Sequence, residues 1–249
     1  RFAVAFGGAG LVACSGDQGR SGASPDVDIG GPTQPTPVNQ TAVRGQVIDG
    51  YLSNAFVCID NNDNVVCDAA GEYRATTDAQ GRFELTVPAG QAVDKLLAQI
   101  VPGQNIDLNH PDQAITRQSV LLPVNVKGGD DNSNLVTPFT TVIGALAKDS
   151  GEPVEVIAAQ LAEKWALQDD FYAVDYVAAN SNNKDAPVRA AAREIQQKWE
   201  EVIVKQASDN AGASWSQILT SSAAALASDD VQQDLDNDVQ VVVRPAAAV

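Results

Sequence analysis

Two cysteines and a cluster of Asp, Asn and Glu side chains crowd one short stretch of the chain. Cys58 and Cys67 flank Ile59-Asp60-Asn61-Asn62-Asp63-Asn64-Val65-Val66, and a hairpin there would bring their Cβ atoms within the roughly 3.5–4.5 Å that a disulfide requires. Such bonds persist in exported proteins and are rare in the reducing cytosol. Closing so short a loop stabilises a fold by roughly 2–3 kcal/mol. Asp60, Asn62, Asn64, Asp68 and Glu72 place side-chain oxygens along and just beyond the same loop. All-oxygen sets of this kind suit a hard cation, so a structural Ca2+ is one expectation. The other is that these Asp and Asn residues are turn formers. Against an EF-type loop the match is partial, because Val65 stands where the turn glycine belongs and the closing carboxylate falls one place late, at Glu72 beyond Gly71.

Little else in the chain offers reactive chemistry. One histidine, His110, and three cysteines in 249 residues exclude a multi-histidine zinc or iron centre and a four-thiolate site. His110 sits in Asn109-His110-Pro111-Asp112, a turn sequence. No Gly-x-Ser-x-Gly elbow, phosphate-binding glycine loop or His-Glu-x-x-His pair occurs. Two carboxylates would suffice for a glycosidase, but 32 acidic residues offer too many pairs to single one out. An aromatic share of 5% leaves few rings for stacking on sugars. The net charge of −16 repels a phosphate backbone, which removes nucleic acid from the expected partners. The expectation is a protein that is not an enzyme.

The elements that must position these residues read in sequence order. Residues 1–14 form a signal-like segment: Arg1, an apolar run, and then Leu11-Val12-Ala13-Cys14, which resembles the bacterial lipobox. The resemblance implies cleavage before Cys14, acylation of its thiol and attachment to membrane lipid. Ser15 after the cysteine implies sorting to the outer membrane or cell surface. Residues 15–42 are a Gly/Pro/Ser-rich tether without apolar periodicity. Across 43–127 short apolar runs recur between turn residues, among them Ala55–Ile59, Asn64–Cys67, Tyr73–Thr77, Arg82–Val87, Leu96–Val101 and Ser119–Val126, and predict an antiparallel β domain. From 135 to 228 the period changes to helical. Thr137 and Pro138 begin one helix, Pro153 a second, and a short third holds Phe171, Val174 and Tyr176. Val188, Ala191, Ile195, Trp199 and Val202 stripe the longest helix, and Trp215, Ile218, Leu219, Ser222 and Leu226 the last. Stripes of this kind predict a bundle with all three tryptophans at core positions. Residues 229–249 read as an acidic connector and a terminal strand.

The pattern Gly45-x-Val47-x-Asp49-Gly50-Tyr51-Leu52, Ala55-x-Val57-Cys58-Ile59-Asp60, Cys67-Asp68 and Ala75-Thr76-Thr77-Asp78-Ala79-x-Gly81-x-Phe83-x-Leu85 resembles the carboxypeptidase-regulatory-like, or prealbumin-like, sandwich of bacterial surface lipoproteins and adhesins. It covers about residues 43–101. Val136-Thr137-Pro138-Phe139-Thr140-Thr141-Val142 is similar to the segment that follows such sandwiches. The resemblance implies an α+β chain, with a small antiparallel prealbumin/Ig-like β-sandwich followed by an α-helical bundle. It also implies a structural or binding role without catalysis.

The functional expectation is a lipid-anchored cell-surface module for adhesion or structure, contacting envelope or extracellular proteins or glycans, with self-assembly through a free strand edge. The alternative is a peptide- or glycan-binding accessory subunit of a secreted hydrolase. A contiguous concave patch lined by Tyr51, Tyr73 or exposed carboxylates would favour binding, and a flat edge strand continuing into another subunit would favour assembly.

Overall fold

The computed structural model describes residues 39–68, 71–108, 111–116, 118–129, 134–178 and 186–228. Cys14, the tether before residue 39, His110 and the segment 229–249 lie outside the described residues. Among the described residues the strands are β1 (Gln40–Val47), β2 (Leu52–Ser53), β3 (Phe56–Ile59), β4 (Arg74–Thr76), β5 (Arg82–Pro88), β6 (Leu96–Ile100), β7 (Ile106–Asp107), β8 (Ser119–Leu121) and β9 (Asn134–Val136). The helices α1 (Pro138–Ser150), α2 (Val154–Lys164), α3 (Ala186–Asp209) and α4 (Trp215–Leu226) follow, with a 3-10 turn at Phe171–Ala173.

Strand β5 shows why this part of the chain is β. Phe83, Leu85 and Val87 are buried while Arg82, Glu84 and Thr86 are exposed, so one face enters the core and the other meets water. It pairs antiparallel with β1, and β1 pairs parallel with β9 on its other side. Gly45 makes the second pairing possible, because a Cβ there would lie 2.1 Å from the carbonyl oxygen of Asn134. The buried Asn134 side chain then ties the site together. Its Nδ2 donates to the carbonyls of Arg44 and Lys127, each at 2.7 Å, and its Oδ1 accepts from the Lys127 N–H at 2.8 Å.

The remaining strands form a four-stranded sheet in the order β4-β3-β6-β8 and a separate two-stranded ribbon, β2-β7. The sheets do not close into the expected sandwich. β9 comes from beyond residue 127 and makes the first sheet mixed rather than antiparallel, while β2 and β7 stand apart as a ribbon. The carboxypeptidase-regulatory-like assignment is corrected accordingly: what the chain shows is a mixed α+β architecture of several strands and four helices. Asn64–Cys67, expected as a strand, is a bent loop. There the carboxylate of Asp60 takes the Val65 N–H at 2.8 Å, and Val65 adopts a φ of 59°, so its backbone is withdrawn from any ladder.

The helices begin where their caps dictate. Thr137 caps α1 in a capping box with Thr140, Pro138 occupies the first turn, and Gly151 ends the helix at a φ of 73°. Ser214 and Gln217 form the equivalent box at α4. α1 packs against α2, α3 and α4, and α3 against α4. The hydroxyls of Thr140 and Thr141 also reach the end of β8, with Thr140 Oγ1 donating to the Leu122 carbonyl at 2.6 Å and Thr141 Oγ1 accepting from the Leu122 N–H at 2.9 Å. At the centre, Phe139 lies 5.0 Å from Phe171, 5.9 Å from Tyr176 and 6.0 Å from Trp165 between ring centroids. Trp199 and Trp165 are buried and Trp215 half-buried, and one hydrophobic core runs from the strands into the helices.

Asn134→Ala would leave two carbonyls and one N–H without their partner inside the structure. The expected cost is about 2–4 kcal/mol, read as a lowered urea midpoint, whereas the exposed Arg44–Glu84 pair should tolerate Glu84→Gln with little change.

Candidate functional site

The loop between β3 and β4 is held at both ends. Cys58 lies on β3, and Cys67 returns to it with the two sulfurs bonded and the Cα atoms 5.6 Å apart. The Cys67 N–H donates to Gln99 Oε1 on β6 at 3.0 Å, which fixes the return against the sheet. Between the cysteines, Asp60 accepts the N–H groups of Asn62, Asn64 and Val65 at 3.3, 3.3 and 2.8 Å. Asp68 Oδ2 accepts the side-chain amides of Asn62 at 3.0 Å and Asn64 at 2.6 Å. Glu72 Oε2 accepts the Asp68 N–H at 2.7 Å, and burial, reinforced by the charges of Asp60 and Asp68, lifts the Glu72 carboxyl above its usual range.

The five residues expected as calcium ligands are therefore gathered in one loop but bonded to each other and to backbone. Asn62 and Asn64 turn amide nitrogens, not oxygens, toward Asp68. Among the described residues no group of three or more His, Cys, Asp or Glu converges as a metal site.

A second feature lies where α3 faces the β2-β7 ribbon. It is a cleft of about 1180 Å³, and its walls come from distant parts of the chain. Asp49 comes from the turn after β1, Leu52 from β2, Asp107 from β7, Gln113, Ala114, Ile115, Thr116 and Gln118 from the approach to β8, Ser119 from its first position, Tyr176, Val177 and Ala178 from the stretch after the 3-10 turn, and Arg189, Arg193, Gln196, Gln197, Glu200, Ile203 and Val204 from α3. The α3 residues recur at three and four and so share one side of the helix.

Local chain geometry places Asp49. Ile48 and Tyr51 bridge as the base of a tight turn, and Gly50 sits at its tip with a φ of 66°. A Cβ at Gly50 would lie 1.9 Å from Asp107 Oδ1, so glycine is what lets the Asp107 carboxylate close on the turn. The far wall is bolted to the same turn. Tyr176 Oη donates to the Ile48 carbonyl at 2.7 Å, Gln196 Nε2 to the Asp49 carbonyl at 3.4 Å, and Tyr51 Oη to Asp175 Oδ2 at 3.0 Å. Asp175 Oδ1 also takes the N–H groups of Val177 and Ala178, each at 3.0 Å, which orders the stretch lining the cleft.

The electrostatics of this floor are unusual. Asp49 is only 6% exposed, and its Oδ1 is buried without a hydrogen bond. Burial first, then the charges of Glu200 and Asp107, push its carboxyl well above the ordinary value of 3.8. Burial first, then the charges of Asp49, Asp175 and Asp107, raise the Tyr176 hydroxyl, so it stays a donor at all physiological pH. Tyr51 is pushed up to about 12, by burial foremost and then by Asp175.

None of the cleft residues is among the candidate disulfide, lipidation or metal residues read from the sequence; Asp49 and Leu52 entered there only within the resemblance pattern and Tyr176 only as a helix residue. The available signals were an aspartate directly behind the buried end of β1, in Val47-Ile48-Asp49-Gly50, and a polar stripe on α3 alongside its apolar one. Comparison with protein-family models, curated proteins and solved structures found no match for the chain.

Two outcomes test these sites. The Cys58→Ala/Cys67→Ala double variant should lose about 2–3 kcal/mol, and peptide mapping without reductant should recover the two fragments linked. Asp49 gives a pH signature, because a carboxyl raised on folding contributes stability that is complete below about pH 3.8 and is lost as pH rises through the folded-state value. Asp49→Asn removes that loss. The melting temperature of the variant minus that of the wild type should become more positive from about pH 4 to about pH 7; a flat difference would mean that Asp49 titrates like an exposed carboxyl.

Proposed function

We propose that this chain is a non-enzymatic, lipid-anchored module of the cell envelope or surface whose interaction site is the α3 cleft, and that the cleft receives peptide. The observation that carries the reading is the cleft itself: about 1180 Å³, lined by side chains of both charges and by neutral amides and hydroxyls. Glutamines 113, 118, 196 and 197, with Thr116 and Ser119, offer paired donors and acceptors of the kind a peptide backbone needs. Tyr176 is the aromatic residue among the described lining, and it is buried with its hydroxyl committed to Ile48. A sugar ring therefore lacks a stacking platform, which favours peptide over glycan. Acylation at Cys14 would hold the module at the membrane, and a disulfide at Cys58 and Cys67 suits an oxidising compartment.

The test is affinity capture from a soluble mixture of random peptides of three to eight residues, read by mass spectrometry. Gln197 lies exposed on the cleft side of α3, so Gln197→Trp should fill the cleft without disturbing the core. Peptides retained by the wild type should be lost at least tenfold on this variant at unchanged melting temperature. Equal retention by both proteins, or no retention by either, would remove the cleft from the function. Intact-mass analysis of the membrane-expressed protein reads the anchor in the same preparation: loss of residues 1–13 and gain of acyl mass are expected.

A further inference from the structure

Resting on the peptide reading of the cleft, we propose that its ligands are short peptides with both ends free, the N-terminal ammonium seated at Asp49 and the C-terminal carboxylate at Arg189 and Arg193. Three observations lead there. The first is the Asp49 carboxylate, 6% exposed, with one oxygen that no group of the described protein satisfies although the residue lines the cleft. A buried acceptor left in this state is costly, and an ammonium brings both three N–H donors and the opposite charge. Asp107 and Glu200 stand near enough to act on Asp49 electrostatically, so this end of the cleft gathers three carboxyl groups.

The second observation is polarity along α3. Gln196 reaches the backbone of Asp49, which places the acidic end beside the turn from Gln196 to Glu200. Measured from that turn, Arg193 lies three to seven residues back and Arg189 seven to eleven, or about 4–10 Å and about 10–16 Å along the helix axis. The cleft therefore runs from an acidic end to a basic end on a single rigid element. An extended chain covers about 3.3–3.6 Å per residue, so those separations correspond to peptides of roughly two to five residues.

The third is what lies between. Gln197, Thr116 and Gln118 carry neutral donors and acceptors for main chain, and aliphatic side chains such as Ile115, Val177 and Val204 line the same cleft without any formal charge to select a particular peptide side chain. Selection by the two ends with tolerance between them is the result. Burial keeps the Asp49 carboxyl high in the unliganded protein, and an ammonium against it opposes that shift, so peptide binding and ionisation of Asp49 support one another.

The experiment titrates the disulfide-intact protein with trialanine, N-acetyl-trialanine and trialanine amide, following amide resonances of α3 and isothermal heats. Trialanine should bind, N-acetylation should weaken binding at least tenfold, and amidation should weaken it severalfold. Asp49→Asn should abolish the preference for the free amine while keeping the preference for the free carboxylate, and Arg193→Gln should do the reverse. The comparison of the three ligands on wild-type protein stands without any variant. Equal affinity for the free and acetylated peptides would overturn the proposal and leave the cleft as a peptide site recognised differently. No response to trialanine at about 10 mM would also overturn it; if peptides captured from the random mixture still bind, the broader reading survives that result.

Discussion

The hydroxyl of Tyr176 is the fastener on which the rest of the arrangement depends. Its ring belongs to the aromatic group around Phe139, and its oxygen donates at 2.7 Å to the carbonyl of Ile48, at the end of β1. One side chain is thus bound into the helical core by packing and into the strand region by a buried hydrogen bond. Such bonds contribute modestly when made and cost more when one partner is lost, so their main effect is to fix geometry. Here the fixed geometry is the distance between the Asp49 turn and the stretch leading to α3. Tyr51 and Asp175 make a second, half-buried link between the same two segments, and Gln196 ties α3 itself to the Asp49 turn. A cleft whose opposite walls are joined this way is held open rather than formed on demand.

The floor of that cleft works against stability. Proteins rarely bury a carboxyl without a full set of partners, because the charged form must give up hydration for nothing in return. Asp49 nevertheless sits beside two further acids, in a chain that already carries sixteen more acidic than basic residues. Such a group is tolerated when the surrounding framework is stiff enough to impose it. The disulfide-stapled loop, the capping boxes of α1 and α4 and the Asn134 network are the kinds of restraint that supply stiffness. The strain is local and the restraints are distributed. That division is typical of sites prepared for a ligand.

Legibility in the sequence followed the length of the signal. The four helices could be placed from caps and stripes, since Thr137-Pro138, the Val188-to-Ile203 repeat and the Trp215-to-Leu226 repeat each extend over several turns. β5 announced itself by strict alternation. β2, β7 and β9 have two or three residues each, too few for a period to show, and without them the sheet arrangement could not be read. The Val65-Val66 pair looked like a strand because apolar β-branched residues favour one, yet Asp60 captures the backbone first. A family resemblance built on turn residues and alternation then carried the sandwich with it, although those features specify strands and leave their order open. The cleft was hidden for a different reason: Asp49 and Glu200 lie on opposite ends of the described chain, and no local pattern joins them.

The parallel pairing of β1 with β9 carries a consequence for the order of events in folding. Gly45 opposes Asn134, so the first strand of the fold waits for a partner made about ninety residues later. Until that partner emerges, one edge of β1 presents unpaired N–H and C=O groups to any passing strand. A chain released progressively from a ribosome or a translocation pore passes through this state every time. Contacts so distant in sequence slow the final closure. The unfinished edge, rather than the completed fold, is where a chaperone would have reason to hold this protein.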